Sequence, residues 1–343
     1  MPTTPVAERT GLDYASTVRA TDLSGRDVPV MHACGHDMHV TCLVGAARRL
    51  AGERDSWSGT LEVLFQPAEE LGAGAIAMAE DDLFDRIPRP SVVLGQHVSP
   101  LPAGVLAIQP GLAFAAADGI RVTFYGRGGH GSRPETTVDP IVMAAAAVLR
   151  LQAIVSRETA ATDSLVLTIG SFQAGTKNNV IPDTAELLIS LRSFDTVVCD
   201  TAIAAIRRIA AGESLAAGAP REATVDVYES FPSVINDPVA AEFTRSALVA
   251  RFGPASVITP GAVTGSEDIG VLAAAAGAPC SFWMLGGADP SLFASATSVE
   301  EVTRIVGQLP SNHSPSYAPV IEPTLSNGVD ALVTAARSWF SRV

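Results

Sequence analysis

The alternation of hydrophobic and polar positions changes character several times along the chain. Residues 1–28 are polar and weakly patterned, with at most a short strand around Tyr14–Arg19. From Val40 to Ala51 the residues Leu43, Ala46, Ala47 and Leu50 recur at helical spacing, and Asp37 is a suitable N-cap for a helix beginning there. Leu61–Phe65 is a short apolar run that reads as a buried strand, 72–79 reads as a helix, and Val92–Gly95 reads as a second strand running into Gln96-His97-Val98. Strand, helix, strand is a βαβ pattern, in which ligands collect at the carboxyl ends of strands. That expectation puts Glu69, Glu70 and His97 at strand ends.

From about Phe114 the texture differs. Gly119–Tyr125 alternates like a half-exposed strand. A Gly-rich turn follows, then a helix over 140–155, strands at 164–171 and 183–192, a helix over 196–211 and a strand near 222–229. The order β-α-β-β-α-β predicts a split βαβ sandwich over 114–229. After Phe231-Pro232-Ser233 the α/β alternation resumes, with helices at 237–251, 268–276 and 322–340 and strands near 256–259 and 279–285. The predicted fold class is therefore α/β. A larger domain (1–113 and 230–343) carries a mixed, mainly parallel sheet flanked by helices, and a smaller α+β domain interrupts it.

Composition agrees with two cores. The chain has 343 residues, long for one core, and 47% of them are hydrophobic. Acidic residues outnumber basic ones by 36 to 23, a net charge of −13, which argues against nucleic acid or an anionic membrane as a partner. Cys34, Cys42, Cys199 and Cys280 form no CxxC pair and no disulfide framework. There is no charged segment followed by an apolar signal region, and the Ala-rich stretches 141–154 and 269–278 are too short to span a bilayer. These features predict a soluble, cytoplasmic protein.

The candidate chemistry lies in the histidines. Three of the six, His32, His36 and His39, crowd with Cys34 and Asp37 into PVMHACGHDMH. His97, His130 and His313 sit in Gly- or Pro-flanked polar turns. A single histidine of this kind is usually an ordinary buried residue, but ligand-type side chains seldom crowd without a ligand. Glu69-Glu70 adds two carboxylates. In extended backbone they point apart, so one can bind a metal while the other acts as general base; the plainer reading is a pair of surface glutamates at a helix start. Cys34, His36, Glu70, His97 and His313 then supply five ligands of the N, O and S types that zinc-like ions take. Five exceed one tetrahedral site and suit two metals bridged by the Cys34 thiolate, with His32 and His39 in supporting roles. The turn Gly126-Arg127-Gly128-Gly129-His130-Gly131 matches G-x-G-x-x-G, but no helix opens until Asp139-Pro140 and no acidic residue ends a second strand about twenty residues on, so a dinucleotide site is not expected. A turn presenting His130 and Arg133 to a ligand fits better.

MHACGHDMH, QPAEE, GQHV, GRGGHGSRP, NNVIPD…LRSFD, GSED and NHSPSY occur in this order. With these motifs the chain resembles the M20 metallopeptidase family from about residue 5 onward, in particular its amidohydrolase branch of aminoacylases, hippurate hydrolases, N-acetyl-diaminopimelate deacetylases and auxin-conjugate hydrolases. The resemblance implies a catalytic α/β domain interrupted by a lid domain that mediates homodimerisation. It implies two divalent metal ions (Zn, Mn, Co or Ni), held by Cys34, His36, Glu70, His97 and His313. Glu69 would be the general base, His130 would steady the oxyanion, often across the dimer, and Asn179 and Arg192 would contact the substrate, an N-acyl amino acid or small peptide. Relatives usually begin with a helix, a strand and a segment like RADMDALPV. Here only Pro5-Val6-Ala7-Glu8-Arg9-Thr10 of that region is expected, preceded by MPTT, which predicts an N-terminally shortened catalytic sheet. The alternative expectation is an impaired homologue that binds ligand or metal without turnover.

Overall fold

A computed structural model describes residues 5–22 and 25–340; the opening MPTT lies outside the described residues. The chain divides into two compact units. The first comprises residues up to Ala113, Ile235–Ala262 and the chain from Ile269 onward.

The first unit is built on a four-stranded mixed sheet in the order Val257–Ile258, Leu106–Ile108, Cys280–Ala288, Val93–Pro102. Two of its ladders are parallel and the central one is antiparallel. Leu106, Ile108, Trp283 and Leu285 form its core with Cys42, Leu248, Ala331 and Ala335 from three helices, His36–Gly52, Pro238–Phe252 and Thr324–Phe340. The buried Trp283 Nε1 donates to Gln96 Oε1 at 3.1 Å, and Gln96 Nε2 donates to the Gly328 carbonyl oxygen, so these two polar side chains of the core are partnered. A Cβ at Gly328 would lie 2.5 Å from Cys42 Sγ, which is why the first and last helices can pack so closely. Asp330 joins the Arg49 and Arg251 side chains across the outer face of the same helices.

Several local expectations are corrected here. The first helix is preceded by Gly35 in left-handed backbone (φ 77°), and no side chain caps it, so Asp37 is a first-turn residue instead of the N-cap. Only glycine fits at that turn, because a Cβ at Gly35 would fall 2.3 Å from Val98 Cγ1. Leu61–Phe65 is not a strand: the segment carries no ladder pairing, and half of Phe65 is exposed. Apolar character alone does not make a strand without a neighbour to bond to. The N-terminal ribbon is Arg19–Thr21 paired with Asp27–Pro29, slightly later than expected. Helix Val299–Val306 was not anticipated, although Ser298 and Glu301 form a capping-box spacing: Ser298 Oγ accepts from Glu301 N, and Glu301 Oε2 accepts from Thr297 N.

The second unit comprises Phe114–Val234 and Val263–Asp268. It runs past the expected limits of 114–229, and Val263 joins it by bridging to Phe114 and accepting a hydrogen bond from Ala115 N at 3.1 Å. Its sheet is antiparallel throughout, in the order Thr224–Phe231, Ala116–Tyr125, Thr184–Ser193, Leu165–Ala174. Alternating residues Ile120, Val122, Phe124, Leu187, Ile189 and Leu191 bury one face against the helices Pro140–Ala153 and Thr196–Ala216. Asp139 and Asp195 cap those helices by accepting from Ile141 N and Val197 N. A π-helical turn, Ile154–Glu158, lengthens the first of them to 19 residues, long and apolar enough by composition to cross a membrane. The sequence reading stopped it short. Met143, Ala144, Ala147, Leu151 and Ile154 bury one stripe of it in the core of this unit. The mixed α/β class predicted from the alternation of elements is the class observed.

Candidate metal centre

Three loops and one strand of the first unit bring the candidate ligands together. The Cys34 loop is closed by a hydrogen bond from Gly35 N to the His32 carbonyl oxygen, 2.8 Å. The His313 loop docks on it through His313 N, which donates to the Ala33 carbonyl oxygen at 2.7 Å, while His313 itself holds a left-handed backbone (φ 70°). A non-glycine residue in that region is strained, and such strain collects where surroundings over-determine a side chain's aim. Ala68 is likewise left-handed (φ 51°) and opens a 3-10 turn, Glu69–Leu71. The two glutamates are therefore not on extended backbone and do not point apart. His97 is placed by the strand Val93–Pro102, where it lies opposite Met284 of the neighbouring strand, within the strand and not at its end.

The resulting distances are short. Cys34 Sγ lies 3.5 Å from His97 Nε2. His36 Nε2 lies 3.4 Å from Glu69 Oε2 and 3.8 Å from Glu70 Oε1. His313 Nε2 lies 3.1 Å from Glu70 Oε2. Three sets of donors made wholly of residues of this unit fall within 4.8 Å of one another: Cys34/His36/His97, Cys34/Glu70/His313 and His36/Glu69/Glu70. Cys34, His36 and Glu70 each belong to two of them, so the three sets interlock in one cluster.

Protonation states favour ligation. His97 Nδ1 donates to the Val98 carbonyl oxygen at 2.7 Å, which leaves the Nε2 lone pair facing Cys34. Burial pushes His97 down to about 4, and burial also lowers His36, so both imidazoles are neutral near pH 7. Burial alone would raise Glu70, but the hydrogen bond and charge of His313 and the charge of His36 outweigh it and hold the carboxyl below its ordinary value. Burial, with Glu70 beside it, pushes the Cys34 thiol strongly up. A buried sulfur among carboxylates keeps its proton until a cation replaces it. The donor chemistry thus fits a divalent metal pair.

The neighbouring histidines support the cluster. His39 Nε2 accepts from Val98 N at 2.9 Å, so it fixes the strand at His97 and has no free Nε2 for a metal. Its ring packs edge-on to His97, 4.3 Å between centroids. His32 Nε2 lies 3.3 Å from Glu8 Oε1, and the Glu8 carboxylate also accepts from Thr10 Oγ1 and Ser16 N. Arg9 N donates to the Pro315 carbonyl oxygen at 2.7 Å. The Glu8–Thr10 segment is thus tied to both the Cys34 loop and the His313 loop. Sequence reading assigned no role to Glu8 or to Asn312; an amide side chain directly before a candidate ligand was the available signal for the latter.

The remaining predicted residues belong to the second unit. His130 and Asn179 share a small ribbon in which Gly129–His130 pairs with Val180–Ile181, and Gly131 N donates to the Asn179 carbonyl oxygen at 2.8 Å. His130 Nδ1 lies 2.8 Å from Ser132 Oγ. Glycine is required nearby, since a Cβ at Gly128 would meet the Ile181 carbonyl oxygen at 2.7 Å. This ribbon leaves the sheet at the Thr184 end, where Gly126 N and Gly128 N donate to the Asp183 carbonyl oxygen and Oδ1. Arg192 sits at the far end of the strand Thr184–Ser193, about 30 Å away at the rise of an extended strand, with its Nη1 donating to the Thr264 carbonyl oxygen at 2.7 Å. Within this unit, His130 and Asn179 are brought together and Arg192 is not.

Comparison with known proteins gives the same frame. N-acetyl-L-cysteine deacetylase of Bacillus subtilis (strain 168) is 36% identical over 265 residues, covering 77% of this chain and 60% of the relative. Hippurate hydrolase of Campylobacter jejuni is 36% identical over 250 residues, covering 73% of this chain and 62% of the relative. The chain thus spans about 60% of the length of these curated relatives. Among solved structures, a putative aminohydrolase from methicillin-resistant Staphylococcus aureus superposes with a TM-score of 0.75 at 29% identity, covering 97% of this chain and 78% of that one. A Bacillus subtilis protein described as a dinuclear metal binding peptidase of the M20 family gives 0.70 at 27% identity, covering 99% of this chain and 80% of that one. The profile of peptidase family M20/M25/M40 matches residues 3–311. The chain belongs to peptidase family M20/M25/M40.

Proposed function

We propose that this chain is a metal-dependent amidohydrolase that cleaves the amide bond of N-acyl amino acids or small peptides. The observation that carries the reading is the Cys34 sulfur shared by two three-donor groups. Cys34, His36, Glu70, His97 and His313 would hold two divalent ions, zinc by the softness of thiolate and imidazole, with manganese, cobalt and nickel as the other candidates. When bound, the ions supply Lewis acidity toward the scissile carbonyl and lower the pKa of water.

The chain's own residues do the rest. Glu69 takes the proton of the attacking water and returns it to the leaving amine. The 3-10 turn aims its carboxylate at the same place as that of Glu70, which His313 holds at 3.1 Å. His130 donates to the developing oxyanion. Asn179 and Arg192 bind the substrate, with the guanidinium suited to a free carboxylate. Since His130 and Asn179 lie at one end of their sheet and Arg192 at the other, a small substrate cannot touch all three in one copy. That separation supports a homodimer through the 114–229 domain, in which a second copy supplies the first two. The names of the relatives, a deacetylase of N-acetyl-L-cysteine and a hydrolase of hippurate, support the substrate class. An excess of acidic residues fits a cytoplasmic protein with no nucleic-acid or membrane partner.

The test is a panel of N-acetyl and N-benzoyl amino acids assayed with the metal-loaded chain and its Glu69→Gln variant. Turnover that falls by about 10²–10⁴ in the variant, with metal content unchanged, is expected. Equal turnover by the two proteins rules out Glu69 as the base.

A further inference from the structure

One side-chain amide meets the ligand-bearing segments where they converge. Asn312 Nδ2 donates to the Cys34 carbonyl oxygen at 3.2 Å, to the Val98 carbonyl oxygen at 3.4 Å and to Cys34 Sγ at 3.5 Å. An amide nitrogen carries two hydrogens, so three acceptors engage both, one of them shared. The Val98 peptide is fixed from its other side as well, since its carbonyl oxygen accepts from His97 Nδ1 and its N–H donates to His39. The next residue along, His313, donates its N–H to Ala33. Asn312 therefore stands at the junction of the Cys34 loop, the His97 strand and the His313 loop, all within the first unit.

Among the described residues Asn312 Nδ2 is the side-chain donor aimed at the Cys34 sulfur, since the His97 Nε2 that also faces it carries a lone pair. A cysteine side chain has one rotatable bond that swings its sulfur through three staggered positions. Whether the sulfur faces both donor groups depends on what holds it in one of them.

We propose that Asn312 is a positioning residue of the metal centre: its amide holds Cys34 Sγ where it serves both the Cys34/His36/His97 group and the Cys34/Glu70/His313 group, and so determines whether the chain binds two ions or one. This rests on the metal-centre reading above. Asn312 touches neither substrate nor reacting atoms; it acts through Cys34.

Two variants separate donation from space-filling. Asn312→Leu keeps the branched shape and removes both donors. Asn312→Asp keeps the outline of the side chain but sets an acceptor against two carbonyl oxygens and the sulfur. The full chain and both variants, each stripped with chelator, are first alkylated with iodoacetamide and mapped by mass spectrometry. Cys42, Cys199 and Cys280 are buried and serve as internal references. Separate, unalkylated portions of each protein are titrated with Co²⁺, reading the sulfur-to-cobalt charge-transfer absorption and the number of ions retained.

The expected result is Cys34 alkylation about tenfold slower in both variants, the factor that corresponds to losing one hydrogen bond to the nucleophilic sulfur, with the reference cysteines unchanged. Cobalt retained should fall from about two ions to one, and the charge-transfer absorption should stop growing after the first equivalent. If Asn312→Asp behaves as the parent does, shape alone is at work and the proposal is overturned. Variants that retain two ions, from a parent that retains two, overturn the role of Asn312 alone. A parent that retains none overturns the metal-centre reading itself and the role of Asn312 with it.

Discussion

The backbone N–H of His313 donates to the carbonyl oxygen of Ala33 at 2.7 Å, joining two loops that lie nearly the whole chain apart in sequence. Because the bond is between main-chain atoms, it fixes the two loops to each other whatever side chains they carry. It also explains why His313 tolerates left-handed backbone: its N–H and its imidazole, 3.1 Å from Glu70, are both held. The candidate centre is therefore an assembly of loops locked by backbone and amide hydrogen bonds, with the ligands as passengers.

The Gly35 turn is the tightest part of that assembly. Gly35→Ala places a methyl group 2.3 Å from Val98 Cγ1 in backbone that already disfavours side chains. We predict a loss of about 2–4 kcal/mol from the combined overpacking and backbone strain, measured by urea denaturation, together with weaker metal binding. A variant as stable as the parent would show that the loop shifts freely.

His39 is predicted to matter without being a ligand. His39→Phe leaves the buried Val98 N–H without its acceptor, at a cost of about 1–3 kcal/mol, and loosens the strand that carries His97. Metal stoichiometry should hold while affinity falls, as read by competition with a chromophoric chelator. Loss of a full equivalent of metal would place His39 among the ligands instead.

Metal binding is predicted to tighten as pH rises. His36 and His97 are lowered by burial and Glu70 is held down chiefly by His313, so near pH 7–8 these donors have already lost their protons. The Cys34 thiol, raised by burial and by Glu70, has not. Each chain that takes up metal must then expel at least the thiol proton, and affinity should rise by at least about tenfold per pH unit across that window. Calorimetry in buffers of different ionisation enthalpy should detect at least one proton released. A flat profile would mean that Cys34 stays protonated and outside the coordination sphere.

Most of the site was legible in the sequence because its residues come in short motifs of unusual composition. Cys34 and His36 share one motif, Glu69 and Glu70 are adjacent, His97 stands in a polar stretch within a strand and His313 in a distinctive turn. What sequence did not reveal was backbone direction. The left-handed Ala68 turns Glu69 and Glu70 into a 3-10 turn, and nothing in alanine's own preferences announces positive φ. The strand expected at Leu61–Phe65 failed for a related reason, since ladder pairing depends on neighbours that a local pattern cannot name. In the second unit the pattern was clearer. Alternation over Gly119–Tyr125 and Thr184–Ser193, with Asp139-Pro140 opening a helix, made the order of strands and helices readable, with bounds that differ by up to five residues.

The measurement that bears most directly on the central claim is the metal content of the purified chain after incubation with zinc or manganese and gel filtration, read by mass spectrometry. The account predicts about two ions per chain, falling when Glu70→Gln or His313→Ala removes a ligand and holding when Glu69→Gln removes the base. A chain that retains no metal, or one whose metal content is indifferent to Glu70 and His313, would contradict it.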